Sequence, residues 1–173
     1  MTASEAIGVE LARRGAKLQV YGGPFLESHV VRGFVNPGQG RSILMWYAKD
    51  EEPPAFDEEG THPKLFERRA DKGQDWETAF YRSITRADGI VLVGGGNATK
   101  IAGQVAIGSR MPILALPAFG GAASKVWDSL SAGEDLPSRD GINTMARPWK
   151  DDSAARCVEA LLSQSERRHL VAS

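Results

Sequence analysis

The sequence predicts an α/β fold with a doubly wound, mostly parallel sheet and helices on both faces. The apolar run from Ile90 to Val93 stops at three successive glycines, and a helix-like segment follows at once. Short strand-like runs alternate with helix-like segments along the chain, which is the pattern of a parallel sheet covered on both sides. Glycine-rich turns follow three of the strand-like runs. In sheets of this kind, ligands bind at the carboxyl ends of the strands.

The first half of the chain predicts two helices and two strands. Ser4 is expected to cap the first helix, because serine accepts hydrogen bonds from amides at a helix start, and Gly15 is expected to end it. An acidic stretch with several prolines is expected to form an exposed loop. In order, the predictions are a helix over 4–14, a strand over 17–21, a short helix over 30–35, a strand over 42–48 and the loop over 49–63.

The second half predicts two strands, each followed by a helix. Trp76, Phe80 and Ile84 recur at helical spacing before the first of these strands. In order, the predictions are a helix over 75–86, a strand over 89–93, a helix over 97–109, a strand over 112–116, a helix over 122–131, a polar loop, and a helix over 151–164. A single domain is expected over 1–165, with a tail over 166–173.

Composition restricts the classes of function. The chain has 173 residues and a net charge of −1, and no basic stripe predicts binding to nucleic acid. No apolar run is long enough to predict a membrane span, and there is no signal peptide, so a cytoplasmic location is expected. The single cysteine, Cys157, is expected to be structural, and the histidines lack the spacing of metal ligands. The four tryptophans are expected to anchor the core or an interface.

The three glycine turns predict a phosphate-bearing ligand. They comprise residues 22–23, 94–96 and 120–121, and all three are expected on one edge of the sheet. Backbone N–H groups of Gly95, Gly96 and Asn97 would face a phosphate at a helix N-terminus, where the helix dipole favours negative charge. The alternative is that the glycines only make tight turns between strands and helices.

Side chains near these turns have a functional and a structural interpretation each. The hydroxyl of Thr99 would form a hydrogen bond with a phosphate, or with backbone groups in the first turn of its own helix. Lys100 and Lys125 would add charge to the ligand site or lie in solvent. Phe119 would stack on an adenine or pack beneath its own loop.

Three segments of the chain resemble the SLOG superfamily, which is named after the SMF/DprA and LOG proteins. They are Leu-Ala-Arg-Arg-Gly with the following Tyr-Gly-Gly, Ala-Asp-Gly-Ile-Val-Leu-Val-Gly-Gly-Gly, and Pro-Ile-Leu-Ala-Leu-Pro-Ala-Phe-Gly-Gly-Ala-Ala, which begin at Leu11, Ala87 and Pro112. The resemblance covers residues 8–127 and implies a Rossmann-like nucleotide-binding domain. Family members usually place a strand and a Gly-Ser turn before the first helix. We therefore expect either a sheet one strand short or a true start upstream of Met1.

The resemblance also shows a chemical departure from LOG-type enzymes, which hydrolyse the N-glycosidic bond of nucleoside monophosphates. Their motif is Pro-Gly-Gly-x-Gly-Thr-x-x-Glu. Here Thr99 is kept, but Ala98 replaces the third glycine and Ala102 replaces the glutamate. Alanine has no group for acid–base catalysis or for stabilising an oxocarbenium ion. The enzymes' arginine falls at Ala79, and Arg82 lies about one turn further on.

The resemblance therefore predicts a sensor rather than an enzyme. Other SLOG domains bind NAD-derived signals in antiphage defence, so we expect a phosphorylated nucleotide related to NAD or ADP-ribose, no required cofactor and a homo-oligomer. Three alternatives remain: a LOG-type phosphoribohydrolase, a DprA-like DNA-handling protein, and a structural domain without a ligand. The predicted ligand-binding residues are Gly22, Gly23, Pro24, Arg82, Gly94, Gly95, Gly96, Asn97, Ala98, Thr99, Lys100, Phe119, Gly120, Gly121 and Lys125. No catalytic residue and no metal ligand is predicted.

Overall fold

A computed structural model describes residues 1–22, 26–73, 75–133 and 137–171, with side chains through residue 166. The chain forms two compact units, Met1–Arg86 and Ala87–Ser173. Unit 1 contains three helices and three strands among its described residues. They are α1 (Ala3–Arg13), β1 (Leu18–Val20), α2 (Leu26–Val35), β2 (Ile43–Ala48), β3 (Phe66–Asp71) and α3 (Trp76–Ile84), with short 3-10 helices over Asp57–Gly60 and Pro63–Leu65.

The sheet of unit 1 is parallel, in the order β1-β2-β3. Because neighbouring residues of a strand point to opposite faces, each face of this sheet meets a different set of helices. Ile43 and Met45 pack with Phe34 of α2 on one face. On the other face Ala79 of α3 packs with Ala48. The helices therefore cover both faces, as the sequence predicts for a doubly wound sheet.

Helices α1 and α2 approach closely through two glycines. A Cβ placed on Gly33 would lie 2.0 Å from the carbonyl oxygen of Glu5, and one on Gly8 would lie 2.2 Å from the carbonyl oxygen of Val30. A side chain at either of these two glycine positions would hold the backbones of the two helices apart. The contact thus depends on glycine at both positions.

Unit 2 contains two strands and four helices among its described residues. They are β4 (Ile90–Val93), α4 (Asn97–Gly108), β5 (Ile113–Leu116), α5 (Gly121–Ala132), α6 (Arg139–Ala146) and α7 (Ser153–Val171), with a 3-10 turn over Pro117–Phe119. Strands β4 and β5 pair in parallel. The four residues of β5 are all buried, as expected for a strand whose two faces are covered. A Cβ on Gly103 would lie 2.5 Å from a methyl group of Val126, so α4 and α5 also pack closely.

Helix α7 is joined to β5 by one side chain. The buried amide of Gln164 accepts a hydrogen bond from the backbone N–H of Ile113 at 2.9 Å and donates one to the carbonyl oxygen of the same residue, also at 2.9 Å. An amide buried without partners would destabilise the fold. Here both of its groups are satisfied by a single strand residue.

The structure confirms the α/β class with parallel strands and helices on both faces, and it corrects several local predictions. Thr2, not Ser4, caps α1, and it does so in a capping box with Glu5. The polar loop before the last helix contains α6. Strand β3 lies in a segment that had no prediction. Helix α7 continues to Val171, into the residues predicted as a tail. No described helix is both long enough and apolar enough to cross a bilayer.

Candidate functional site

Two of the three predicted glycine turns contact each other in unit 2. Gly94 and Gly95 follow β4 with φ of 59° and 84°, and Gly121 follows the β5 turn with φ of 62°. The N–H of Ala122 donates to the carbonyl oxygen of Gly95 at 2.9 Å, and the N–H of Ala123 donates to that of Gly94 at 2.9 Å. We call this pair of bonded turns the double glycine turn.

The backbone amides at the N-termini of α4 and α5 differ in their hydrogen bonding. At α5, which begins at Gly121, the second and third amides are already bonded to Gly95 and Gly94. At α4 the first bonded amide is that of Lys100, which donates to the carbonyl oxygen of Gly96. Among the described residues, the amides of Asn97, Ala98 and Thr99 have no acceptor. An anion at this edge would therefore bind at α4, with α5 serving as the support.

Other predicted residues surround the start of α4. Gly96, Asn97 and Lys100 are exposed, and Thr99 is half-buried. The Thr99 hydroxyl packs closely against Gly95. A Cβ on that glycine would lie only 2.2 Å from the hydroxyl oxygen. Gly96 has no atom within 4 Å of where its Cβ would be, so its outer side is open. Lys125, on α5, is also exposed.

The LOG-type glutamate position holds no reactive group. Ala102 is 2% exposed and packs inside unit 2. Ala98, where the motif has a glycine, is half-buried in the first turn of α4. Neither of these two side chains can donate or accept a proton.

Phe119 has an aromatic neighbour that sequence reasoning did not identify. Its ring meets the ring of Trp149 edge-on, with centroids 5.3 Å apart. Phe119 remains 38% exposed beside Gly120, which has φ of 65°. The ring is therefore partly packed against Trp149 and partly exposed, rather than buried beneath its own loop.

In unit 1 the predicted turn after β1 has a structural role at the glycine that is described. Gly22 has φ of 87°, and a Cβ there would lie 2.6 Å from the Cβ of Pro54. Its close approach is to the loop that carries Pro54. Gly23 and Pro24, also predicted to bind ligand, lie outside the described residues.

Arg82 is paired within unit 1 rather than free. Its Nη1 donates to the Oδ1 atom of Asp71 at 2.8 Å, while Nη1 of Arg86 donates to Oδ2 at 3.0 Å. The Asp71 side chain is 1% exposed, whereas Arg82 is 45% exposed. Arg86 also lies over the ring of Trp46, 4.4 Å from its centroid. Asp71 therefore fixes two half-exposed guanidinium groups, a cluster that spacing along the chain does not reveal.

The Asp71 carboxylate makes unit 1 sensitive to acid. A hydrogen bond from the backbone N–H of Gly73 and the charges of Arg82 and Arg86 hold the pKa of Asp71 below its usual range, against the opposing effect of burial. A lowered pKa in the folded state gives a stability contribution that is present above the unfolded value of about 4 and is lost as pH falls through the folded value.

We expect Asp71→Asn to lower the free energy of unfolding by about 1–3 kcal/mol at neutral pH, since bonds to a charged group are weakened. The difference from the natural protein should shrink below about pH 4, where Asp71 is protonated first in the unfolded chain and, at still lower pH, in the folded protein. Urea unfolding at a series of pH values measures this. A difference that is constant between pH 7 and 3 would contradict the assignment.

Tyr21, Trp76 and Phe80 form a second aromatic group in unit 1. The rings of Trp76 and Phe80 stack with centroids 4.9 Å apart and an interplanar angle of 12°. Tyr21 meets Trp76 at 90° and Phe80 at 79°. Its hydroxyl donates to the backbone oxygen of Trp76 at 3.3 Å. Helical spacing in the sequence predicts that Trp76 and Phe80 share one face of α3. Their contact with Tyr21, which follows β1, was not predicted.

The structure is similar to that of TM1055, a structural-genomics target solved by X-ray crystallography, with a TM-score of 0.65 and 19% sequence identity. The similarity covers 90% of this chain and 85% of that chain. No protein-family model matches the sequence, and no curated protein is significantly similar to it. At this identity the similarity shows the fold and not the function. The chain is thus a Rossmann-like α/β protein.

Proposed function

We propose that this chain is a SLOG-type nucleotide-binding sensor whose ligand is a phosphorylated nucleotide related to NAD or ADP-ribose. The observation that carries the proposal is the unequal use of amides at the double glycine turn. At the start of α5 the amides of Ala122 and Ala123 are bonded to Gly95 and Gly94, while three successive amides of α4 have no described acceptor. Such amides, together with the helix dipole, bind phosphate.

A sensor is favoured over a LOG-type hydrolase because of the groups at the start of α4. Ala102 is buried and carries no carboxylate. Phe119 offers a half-exposed ring beside the same turn, suited to a nucleobase. Ligand binding would then act by shifting a conformational or oligomeric equilibrium, without chemistry.

Thermal shift against NAD, ADP-ribose, cyclic ADP-ribose isomers and AMP tests the proposal, with released base assayed in parallel. A ligand at about 100 times its Kd stabilises a protein by about 2.7 kcal/mol. For a chain of this size that is a rise in Tm of roughly 5–10 °C. A rise without base release supports a sensor, base release from a monophosphate supports the hydrolase, and no rise with any nucleotide refutes binding.

Gly96→Asp separates binding from folding. Gly96 is the N-cap of α4, and its Cβ position is open. Aspartate is a good N-cap, so we expect the Tm of the free protein to stay the same or rise slightly. Its carboxylate would occupy the free amides and repel a phosphate, so the ligand-dependent shift should be lost.

Gly60→Asp is the matched control, because Gly60 is exposed and its Cβ position is also open. It adds the same charge in unit 1 and should keep the full ligand-dependent shift. Equal ligand responses of the two variants would place the phosphate elsewhere.

A further inference from the structure

Trp76 is a large aromatic side chain that remains partly exposed to solvent. It is 40% exposed, although Phe80 stacks on one face of the indole. The centroids of Trp76, Phe80 and Tyr21 form a nearly equilateral triangle with sides of 4.9, 5.4 and 5.7 Å. Tyr21 therefore lies at the edge of the stacked pair. No described aromatic ring covers the other face of Trp76.

The position of Trp76 is that of a ligand-binding residue. It is the first residue of α3, which begins shortly after β3 ends, and Tyr21 directly follows β1. Both rings therefore lie at the carboxyl edge of the parallel sheet of unit 1, where this class of fold binds ligands. The indole is already stacked on Phe80, and the Tyr21 hydroxyl bonds the backbone oxygen of Trp76. Stacking another ring on it costs little additional side-chain entropy.

The charges around this group are negative. Burial raises the pKa of Tyr21 to about 12, with further contributions from the carboxylates of Glu51, Asp71 and Asp75. Arg82 and Arg86 outweigh the charge of Asp71, whereas Glu51 is exposed and Asp75 caps α3 beside Trp76, so these five groups together carry a net negative charge. A negative environment next to an exposed indole face favours a cation over a neutral ring.

We propose that Trp76 is the stacking platform of a second binding site, which takes a planar aromatic cation of the N-alkylpyridinium class. The oxidised nicotinamide ring belongs to this class. The site is built from Trp76, Phe80 and Tyr21 of unit 1 and needs no phosphate contact. It is therefore independent of the double glycine turn, and either site can fail without the other.

The test uses 1-methylnicotinamide as the cation and nicotinamide as its neutral counterpart, with the full chain. Saturable static quenching of tryptophan fluorescence, at unchanged fluorescence lifetime, measures binding. We expect the cation to bind about two- to fivefold more tightly than the neutral ring, the range that an exposed cation–π contact provides. Equal affinities, or quenching that is only collisional, would overturn the proposal.

Variants assign the binding to Trp76. Trp76→Leu should abolish saturable quenching. Trp127→Phe removes a different indole, which donates to the carbonyl oxygen of Ile142 in unit 2, and should retain it. Gly96→Asp should retain it as well, since the site does not use the start of α4. Retention in Trp76→Leu would refute the assignment.

Trp76→Phe covers the case in which the leucine variant does not fold. It keeps a ring on Phe80 but has a weaker negative face, so 1-methylnicotinamide should bind more weakly and still better than nicotinamide. Equilibrium dialysis measures both ligands without relying on the fluorescence of residue 76. Undiminished affinity for the cation in this variant would also refute the platform.

Discussion

Replacing Gly33 with alanine is expected to lower the free energy of unfolding by about 3 kcal/mol, because the added methyl group has no room. Its Cβ would lie 2.0 Å from the carbonyl oxygen of Glu5, a backbone atom that moves only with the whole of α1. The better helix propensity of alanine offsets only about 1 kcal/mol of the cost. Urea denaturation should show a lower midpoint, and Tm should fall by roughly 6–12 °C.

Gly60→Ala is the control for this experiment, since no atom lies within 4 Å of its Cβ position. It should change stability by no more than about 0.5 kcal/mol. Gly8→Ala affects the same helix contact from the other side. Once one alanine has separated α1 from α2, the second should cost less than it does alone, so the double variant should be less destabilised than the sum. Strict additivity, or an unchanged midpoint for Gly33→Ala, would contradict the contact.

Gly121→Ala is the second substitution with a large expected effect. Its φ of 62° disfavours an L-residue, and its Cβ would lie 2.7 Å from the carbonyl oxygen of Gly95. That oxygen accepts the hydrogen bond from Ala122, so the methyl group would force the double glycine turn apart. We expect a loss of about 2–4 kcal/mol in unfolding free energy, from strain and clash together. Any nucleotide-dependent thermal shift should be lost too.

Gly120→Ala separates backbone strain from the clash. Gly120 also has a positive φ, 65°, but nothing lies within 4 Å of its Cβ position. It should cost about 1–3 kcal/mol from strain alone. The excess destabilisation of Gly121→Ala over this control, measured by urea unfolding, reports the contact between the two turns. Equal losses would mean that the turns do not depend on each other.

Elements with a clear apolar pattern could be predicted from the sequence. Strands β2, β4 and β5 are short apolar runs bounded by turn residues, and they occur within one or two residues of their predicted limits. The fold class was predicted from the alternation of these strands with helices, which is a property of the whole chain. The predicted class is therefore correct even though several individual elements were predicted wrongly.

The missed elements lack such a pattern. Strand β3 has the sequence Phe-Glu-Arg-Arg-Ala-Asp, and three of its residues are exposed because it pairs on only one side. An exposed edge strand tolerates charges that hide the period of two. Helix α6 is only eight residues long and contains Gly141, so its polar sequence resembled a loop. Its cap, Ser138, was the available signal. Thr2 followed three residues later by Glu5 is likewise the signal of a capping box, and it was available when Ser4 was predicted as the N-cap.

The candidate site divides in the same way. The glycines of the double glycine turn were predictable, since positive φ after a strand demands them. The bonds that connect one turn with the other, and so occupy the amides of Ala122 and Ala123 at the start of α5, depend on tertiary packing. The pairing of Arg82 with Asp71, and of Phe119 with Trp149, is equally a matter of proximity in the fold, for which one sequence carries no local signal. Ligand binding at these residues stays a prediction.

The amide of Gln164 carries the same donor and acceptor pair as a peptide group, and it presents both to Ile113. For the backbone of β5 it thus replaces one residue of a neighbouring strand. An open strand edge is a template for another polypeptide, whether a partner or an aggregating copy. With this position already occupied, strand addition at Ile113 would first have to displace a buried side chain of α7. Self-association of the chain should therefore not proceed by adding a strand to β5 at this position.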